Sequence, residues 1–272
     1  MKKLYGVIGE KLPHTYSPQI NERIFDIIGE EGDFVVLEIK KEDLSNAVPS
    51  LKTLGFKGLS VTIPYKVDLM EQLDYISEEA KKIGAISVID IKDGKTSGYN
   101  ADYYGFGMTL VHNEVNIKDE KALILGTGGA SRAVSQYLLD NGIKEISFAS
   151  IEEDDKDILK ERCKVIRYNE IKYLEGYSIV INCTPVGMSP NVNQCVISRE
   201  EMKRFKVAVD IIYNPTETLF LKYAKEEGLK SMNGLYMLVA QAVKAQEIWH
   251  DKKLDYSMIQ PIEKEMEILL NK

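Results

Sequence analysis

Gly126-Thr127-Gly128-Gly129-Ala130-Ser131-Arg132-Ala133 is the stretch of this 272-residue chain whose chemistry is easiest to read. It follows the apolar run Ala122-Leu123-Ile124-Leu125 and opens an amphipathic segment, so it reads as strand, glycine-rich turn and helix start. The first N–H groups of a helix have no intrahelical partner, and they attract phosphate. Gly126 permits the sharp turn, Gly128 lets the backbone approach a pyrophosphate, and Ser131 is small enough for close helix–strand packing. Such turns also cap ordinary strands, but the strand–turn–helix setting favours a bound dinucleotide.

The group that grips the adenine ribose stands about 20 residues further on, at the end of the second strand. Here that strand, Ile146-Ser147-Phe148-Ala149, ends at Ser150-Ile151 and runs into Glu152-Glu153-Asp154-Asp155. No arginine stands there to meet a 2′-phosphate, and several carboxylates do stand there, so electrostatics favours NAD over NADP. The same carboxylates suit the first turn of a following helix, and both readings hold together.

Other chemistries find no support. His14, His112 and His250 lie far apart, and Cys163, Cys183 and Cys195 form no close pair, so no metal site is expected. An odd cysteine count fits a reduced, cytoplasmic protein. No Gly-x-Ser-x-Gly elbow marks a hydrolase. The net charge of −7 argues against nucleic-acid binding, and an anionic small-molecule substrate would need a local pocket of donors. No apolar run has the length of a membrane span. Residues 1–9 are broken by Gly6 and Gly9 and read as a first strand rather than a signal peptide.

Around these residues, strand-length apolar runs alternate with helix-length amphipathic ones, which defines an α/β protein. The first hundred residues carry expected strands at Leu4–Ile8, Phe34–Ile39, Leu59–Ile63 and Ile86–Ile91. Helices are expected near Pro18–Ile28, Lys41–Leu54 and Pro64–Leu73, and a turn at Lys92-Asp93-Gly94-Lys95. A second series has strands at Ala122–Leu125, Glu145–Ala149, Val165–Arg167, Ile179–Asn182 and Val207–Ile211. A helix over Ala130–Asn141 is stopped by Asn141-Gly142. Helices Leu235–Trp249 and Tyr256–Leu270 close the chain. The expected organisation is an N-terminal α/β substrate domain (1–103 with 237–272, the last helices returning to it) and a Rossmann-type dinucleotide-binding domain (104–236).

Seven motifs, in order, make the chain similar to the shikimate dehydrogenase family over nearly its whole length. His14-Thr15-Tyr16-Ser17-Pro18 resembles that family's substrate-carboxylate loop, Val61-Thr62-Ile63-Pro64-Tyr65-Lys66 its catalytic-lysine motif, and Gly98-Tyr99-Asn100-Ala101-Asp102 its catalytic-aspartate motif. Gly126–Arg132 resembles its nucleotide turn. Asn182–Met188 and Asp210–Pro215 resemble its later strand ends, and Met237–Ala242 its site-closing helix.

The resemblance implies reversible reduction of 3-dehydroshikimate to shikimate by a reduced nicotinamide. It implies Lys66 and Asp102 as the proton-transfer pair, Thr15 and Ser17 on the substrate carboxylate, and Thr62, Ser87, Tyr213 and Gln241 on the ring's polar groups. It also implies nucleotide contacts from Gly126, Thr127, Gly128, Gly129, Ala130, Ser150, Thr184, Gly234 and Met237. NADP is the family's usual cofactor and NAD the alternative; a monomer or homodimer is expected. Lys66 is expected in the first turn of a helix opened by Pro64, where the helix dipole disfavours an ammonium ion. Taken alone, Lys66 reads as a solvated surface lysine, Asp102 as a helix N-cap and Met237 as core; His14 reads as an orienting or surface residue.

The chain departs from the family pattern at four places. Ser87 replaces an asparagine that binds a ring hydroxyl, and Ala101 a threonine beside the aspartate. Tyr236 replaces a glycine near the nicotinamide, and Ala149-Ser150-Ile151 stands for the Asn-Arg-Thr of the 2′-phosphate site. Quinate or another cyclic hydroxy acid is therefore the alternative substrate. A weakened ligand-binding or regulatory relative is the alternative of another class, against which the retained Lys66 and Asp102 count.

Overall fold

The computed structural model describes residues 2–13, 15–151 and 161–271. They form two compact units, Met1–Gly105 with Val239–Met266, and Phe106–Leu238 with Glu267–Lys272.

The first unit is built on a mixed six-stranded sheet. Its elements are β1 (Lys3–Gly9), α1 (Ser17–Ile28), β2 (Gly32–Glu38), α2 (Ala47–Thr53), β3 (Phe56–Val61), β4 (Tyr75–Ile76), α3 (Glu78–Ile83), β5 (Val88–Lys92), β6 (Lys95–Tyr99) and the start of α4 (Asp102–His112). The strand order is β2-β1-β3-β5-β6-β4. β1 runs parallel to β2 and β3, whereas β5 is antiparallel to β3 and β6. The β5–β6 hairpin turns at Asp93-Gly94, where both residues adopt positive φ (52° and 74°), the pair of conformations that Asp-Gly accepts at least cost. Alternation along β1 sends Tyr5 and Val7 to a cluster with Phe25 and Phe34, and Ile8 to the opposite face with Leu59, Val61, Ile86 and Ile89.

The second unit holds β7 (Lys121–Leu125), α5 (Gly129–Asp140), β8 (Glu145–Ser150), β9 (Cys163–Arg167), β10 (Ile179–Asn182), α6 (Arg199–Met202), β11 (Val207–Asp210), α7 (Leu219–Glu226) and β12 (Lys230–Met232). All six strands are parallel, in the order β12-β11-β10-β7-β8-β9. Ala122 and Ile124 face one core and Leu123 and Leu125 the other, so β7 is buried on both sides, as a parallel sheet requires. α8 (Leu235–His250) begins in this unit, and α9 (Ile259–Leu270) ends the chain.

Several elements differ from the sequence expectation. β4, β6 and β12 are too short, or too polar in alternate positions, to declare themselves by periodicity. The helix expected over Pro64–Leu73 is replaced by turns and a 3-10 segment at Asp68–Gln72. Among the described residues, no helix is long and apolar enough to cross a membrane, and no cluster of His, Cys, Asp or Glu is placed to hold a metal ion.

Candidate active site

Strand register gathers the candidate residues of the first unit. Ile8 lies beside Val61, Ser60 opposite Val88, and Val88 opposite Tyr99. The ends of β1, β3 and β6 and the start of β5 therefore share one edge, and Thr62, Ser87 and Asn100–Asp102 follow directly on it. The ladder continues past the strands: Thr62 N donates to Ile8 O (2.9 Å), Val61 N to Ser87 O (2.8 Å) and Ser87 N to Tyr99 O (2.8 Å).

After Thr62 the chain turns through a cis Ile63–Pro64 peptide, and Tyr65 N donates to Thr62 O at 3.0 Å. The carbonyl of Lys66 accepts from Ile86 N at 2.8 Å, so it is committed across the sheet rather than along a helix. Lys66 therefore occupies no helix first turn, and the dipole contribution expected for it falls away. Its ammonium donates instead to the carboxylate of Asp102, with side chains 11% and 2% exposed. Charges so buried persist only when paired. Asp102 is the first residue of α4, the end at which a helix favours negative charge. The capping role belongs to Asn100, whose Oδ1 accepts from Tyr103 N at 3.2 Å and whose Nδ2 donates to Ala85 O at 2.9 Å. That leaves the Asp102 carboxylate for Lys66. Asn100 sits in a motif recognisable from sequence, and its residue type is a strong capping signal.

Thr15 donates to Ser17 Oγ at 3.1 Å and accepts from Ser17 N at 3.3 Å, so the two hydroxyls form one local unit before α1. Thr62 and Gln241 are half-buried, Gln241 on the part of α8 that belongs to this unit. Ser87 is buried, and its Oγ accepts from the N–H groups of Ala101 (2.8 Å) and Asp102 (3.3 Å). The methyl of Ala101 packs with Val88 and Ala245. Tyr213 falls in the second unit, after β11. His14 and Glu152–Asp155 lie outside the described residues.

Two residues with no local signal hold the Thr15–Ser17 turn. Asn21 Nδ2 donates to Ser17 O at 2.8 Å, and Gln246 Nε2 donates to Asn21 Oδ1 at 2.8 Å. Nothing near position 246 in the sequence points to residue 21.

In the second unit, β7 and β10 are adjacent at the point where the strand order reverses, the usual place for a ligand in such sheets. Gly126 has φ 92°, and a Cβ there would lie 2.8 Å from Thr184 Cγ2, so only glycine fits between the two strand ends. Thr127 Oγ1 lies 3.5 Å from Ser150 Oγ, joining the turn to the tip of β8. Gly128 caps α5 without any side-chain hydrogen bond, and a Cβ at Gly128 would meet nothing within 4 Å. Gly129 and Ala130 are the first residues of α5. Open space in front of free first-turn N–H groups is what a pyrophosphate needs, and the residues fit one.

Gly234 packs against backbone: a Cβ there would lie 2.0 Å from Ile211 O. Met237 is buried in the core cluster with Phe106, Ile179 and Ile181. Tyr236, which replaces the family's glycine, stacks on His112 with ring centroids 4.2 Å apart and planes at 11°.

An all-parallel sheet of this order, with an uncapped glycine turn at its reversal point and a separate mixed-sheet unit, defines a two-unit Rossmann-type α/β protein. Residues 7–89 match the model of the shikimate dehydrogenase substrate binding domain. Shikimate dehydrogenase (NADP(+)) of Clostridium perfringens is 47% identical over 97% of this chain and 98% of that protein. The crystal structure of shikimate dehydrogenase 1 from Peptoclostridium difficile superposes with a TM-score of 0.95 at 42% identity, covering 98% of this chain and 99% of that one. A chorismate mutase/shikimate 5-dehydrogenase fusion protein from Clostridium acetobutylicum gives 0.91 at 44% identity, covering 100% and 99%. The chain belongs to the shikimate dehydrogenase family.

Proposed function

We propose that the chain is a shikimate dehydrogenase, an oxidoreductase that interconverts 3-dehydroshikimate and shikimate. The observation that carries this reading is the buried Lys66–Asp102 pair at the sheet edge, in a chain whose relative of 47% identity bears that activity in its name. A bound nicotinamide dinucleotide supplies or accepts the hydride. The chain's own residues handle the proton: Lys66 Nζ gives it to, or takes it from, the oxygen at the reacting carbon, and Asp102 holds the ammonium in place. Thr15 and Ser17 bind the substrate carboxylate through their hydroxyls, and Thr62, Tyr213 and Gln241 orient the ring.

Gly126 to Ala130, with Thr184 beside them, hold the pyrophosphate; Ser150 meets the ribose, and Gly234 and Met237 border the nicotinamide. NADP is the cofactor named for the relative of 47% identity. NAD is the second reading, because Ser150 and Ile151 end the strand where an arginine would grip a 2′-phosphate. Quinate is the second substrate, because the ring-binding asparagine of the family is Ser87, whose oxygen is already engaged by backbone.

The test is an absorbance assay of shikimate and quinate, each with NADP and NAD. Reduction of NADP with shikimate is the expected outcome. Activity confined to quinate replaces the substrate, activity confined to NAD replaces the cofactor, and a folded, nucleotide-binding protein inactive in all four pairings refutes the proposal.

A further inference from the structure

We infer that Ser87 is a positioning residue for the Lys66–Asp102 pair rather than an acceptor for the substrate ring, an inference that rests on the activity proposed above. A serine hydroxyl has two acceptor lone pairs and one O–H. Both lone pairs of Ser87 Oγ are taken, by the N–H groups of Ala101 at 2.8 Å and Asp102 at 3.3 Å. Those donors stand at the start of α4, where N–H groups have no intrahelical acceptor. At 4% exposure, Ser87 supplies what water supplies elsewhere.

The neighbouring residue completes the arrangement. Ile86 N donates to the carbonyl of Lys66 at 2.8 Å. The dipeptide Ile86-Ser87 thus holds the backbone of both partners, Lys66 through a main-chain N–H and Asp102 through a side-chain oxygen. Ser87 is itself fixed by two sheet hydrogen bonds, N to Tyr99 O and O from Val61 N, each 2.8 Å. Its backbone cannot drift without moving β3 or β6. Neither contact touches the ammonium or the carboxylate, so Ser87 acts on where the pair stands. Proton transfer is sensitive to displacements on the order of 1 Å, which makes the backbone anchor matter to rate more than to affinity.

The test compares Ser87→Ala and Ser87→Thr with the wild type and with Lys66→Ala, in steady-state kinetics with whichever hydroxy acid and nucleotide the wild type uses. Hydrogen exchange over residues 101–103 and thermal unfolding are measured alongside. Ser87→Ala is expected to lower kcat by about tenfold while KM for the hydroxy acid stays within about twofold, the signature of lost geometry rather than lost binding. Exchange at Ala101 and Asp102 should quicken in Ser87→Ala, and Ser87→Thr, which keeps the acceptor oxygen, should recover most of kcat and the slow exchange. If Ser87→Ala does not fold, Ser87→Cys, close in size but a weak acceptor, carries the same expectation.

Unchanged kcat in Ser87→Ala overturns the inference, and a rise in KM alone overturns it and returns Ser87 to ring binding. An inactive wild type, or a fully active Lys66→Ala, instead overturns the activity reading, and this inference falls with it.

Discussion

Gln246 and Asn21, 225 residues apart in sequence, share a buried hydrogen bond of 2.8 Å, and Asn21 passes it on to the carbonyl of Ser17. His250 Nε2 lies 3.0 Å from the other end of the Gln246 amide, so its oxygen and its nitrogen are both engaged. A buried amide removed from such a chain leaves partners that nothing else can satisfy. Gln246→Ala is expected to destabilise the protein by roughly 2 kcal/mol, the cost of an orphaned buried polar group. Because the chain ends on the Thr15–Ser17 turn, KM for the hydroxy acid should rise severalfold while kcat changes less. Denaturant unfolding and steady-state kinetics check both parts; an unchanged KM separates the turn from substrate binding.

Lys66→Ala removes the only ammonium bonded to the buried Asp102 carboxylate among the described residues. With the proton donor gone, turnover is expected to fall by about 100-fold or more, the usual worth of a placed acid–base group. The nucleotide turn lies in the other unit, so dinucleotide affinity, read by fluorescence titration, should stay within about twofold of the wild type. Near-normal turnover in the variant refutes the assignment of Lys66.

Replacing Glu152 and Asp154 with arginine is expected to raise NADP use relative to NAD by about tenfold or more, since it exchanges carboxylates for cations that attract a 2′-phosphate. The ratio of kcat/KM for the two nucleotides reads the outcome. An unchanged ratio shows that the acidic run does not face the ribose.

Local chemistry made some of this legible in sequence and hid the rest. Asp93-Gly94 announced its turn because few dipeptides accept two positive φ values in succession. Gly126 announced its turn because strand, glycines and helix start are contiguous. Pro64-Tyr65-Lys66 misled, since a proline before an amphipathic run reads as a helix start. What decides its conformation is a hydrogen bond from Ile86, twenty residues on. The role of the Ser87 oxygen was hidden for the same reason: only the register of β3, β5 and β6 brings it to Ala101 and Asp102. Sequence reports what a residue can do, and tertiary pairing selects which of those things it does.

Gly58 on β3 marks a place where helix and sheet meet without room for a side chain. A Cβ there would lie 2.2 Å from Trp249 Nε1, whose N–H donates to Ile89 O at 3.0 Å. Gly58→Ala must therefore push the indole away from Tyr5, whose ring centroid is 5.0 Å away in a tilted contact, and break the bond to Ile89. A loss of about 3 kcal/mol is expected from overpacking and a lost buried hydrogen bond together. Thermal unfolding and tryptophan fluorescence check it, the chain having one tryptophan. An unshifted Tm and emission maximum would mean that the helix simply steps aside.

Asp210 gives the second unit a pH dependence of its own. Burial pushes its carboxyl from 3.8 up to about 7, against the hydrogen bonds from Thr218 Oγ1 (2.6 Å), Ile212 N (3.0 Å) and Asn182 Nδ2 (3.1 Å). A carboxyl raised on folding holds its proton more tightly in the native state. Its contribution to stability is therefore complete below about pH 4 and is lost as pH rises through about 7. Asp210→Asn keeps the shape and has no proton to lose. Its Oδ1 can still take Ile212 N and Asn182 Nδ2, while its new N–H₂ group donates to Thr218 Oγ1, whose hydroxyl turns away. Between pH 4 and 7 the wild type should lose a few kcal/mol more than the variant, so the two stability curves diverge steadily across that window. Denaturant unfolding at a series of pH values checks this; parallel curves would show that Asp210 is held as an anion by its three donors and that hydrogen bonding outweighs burial.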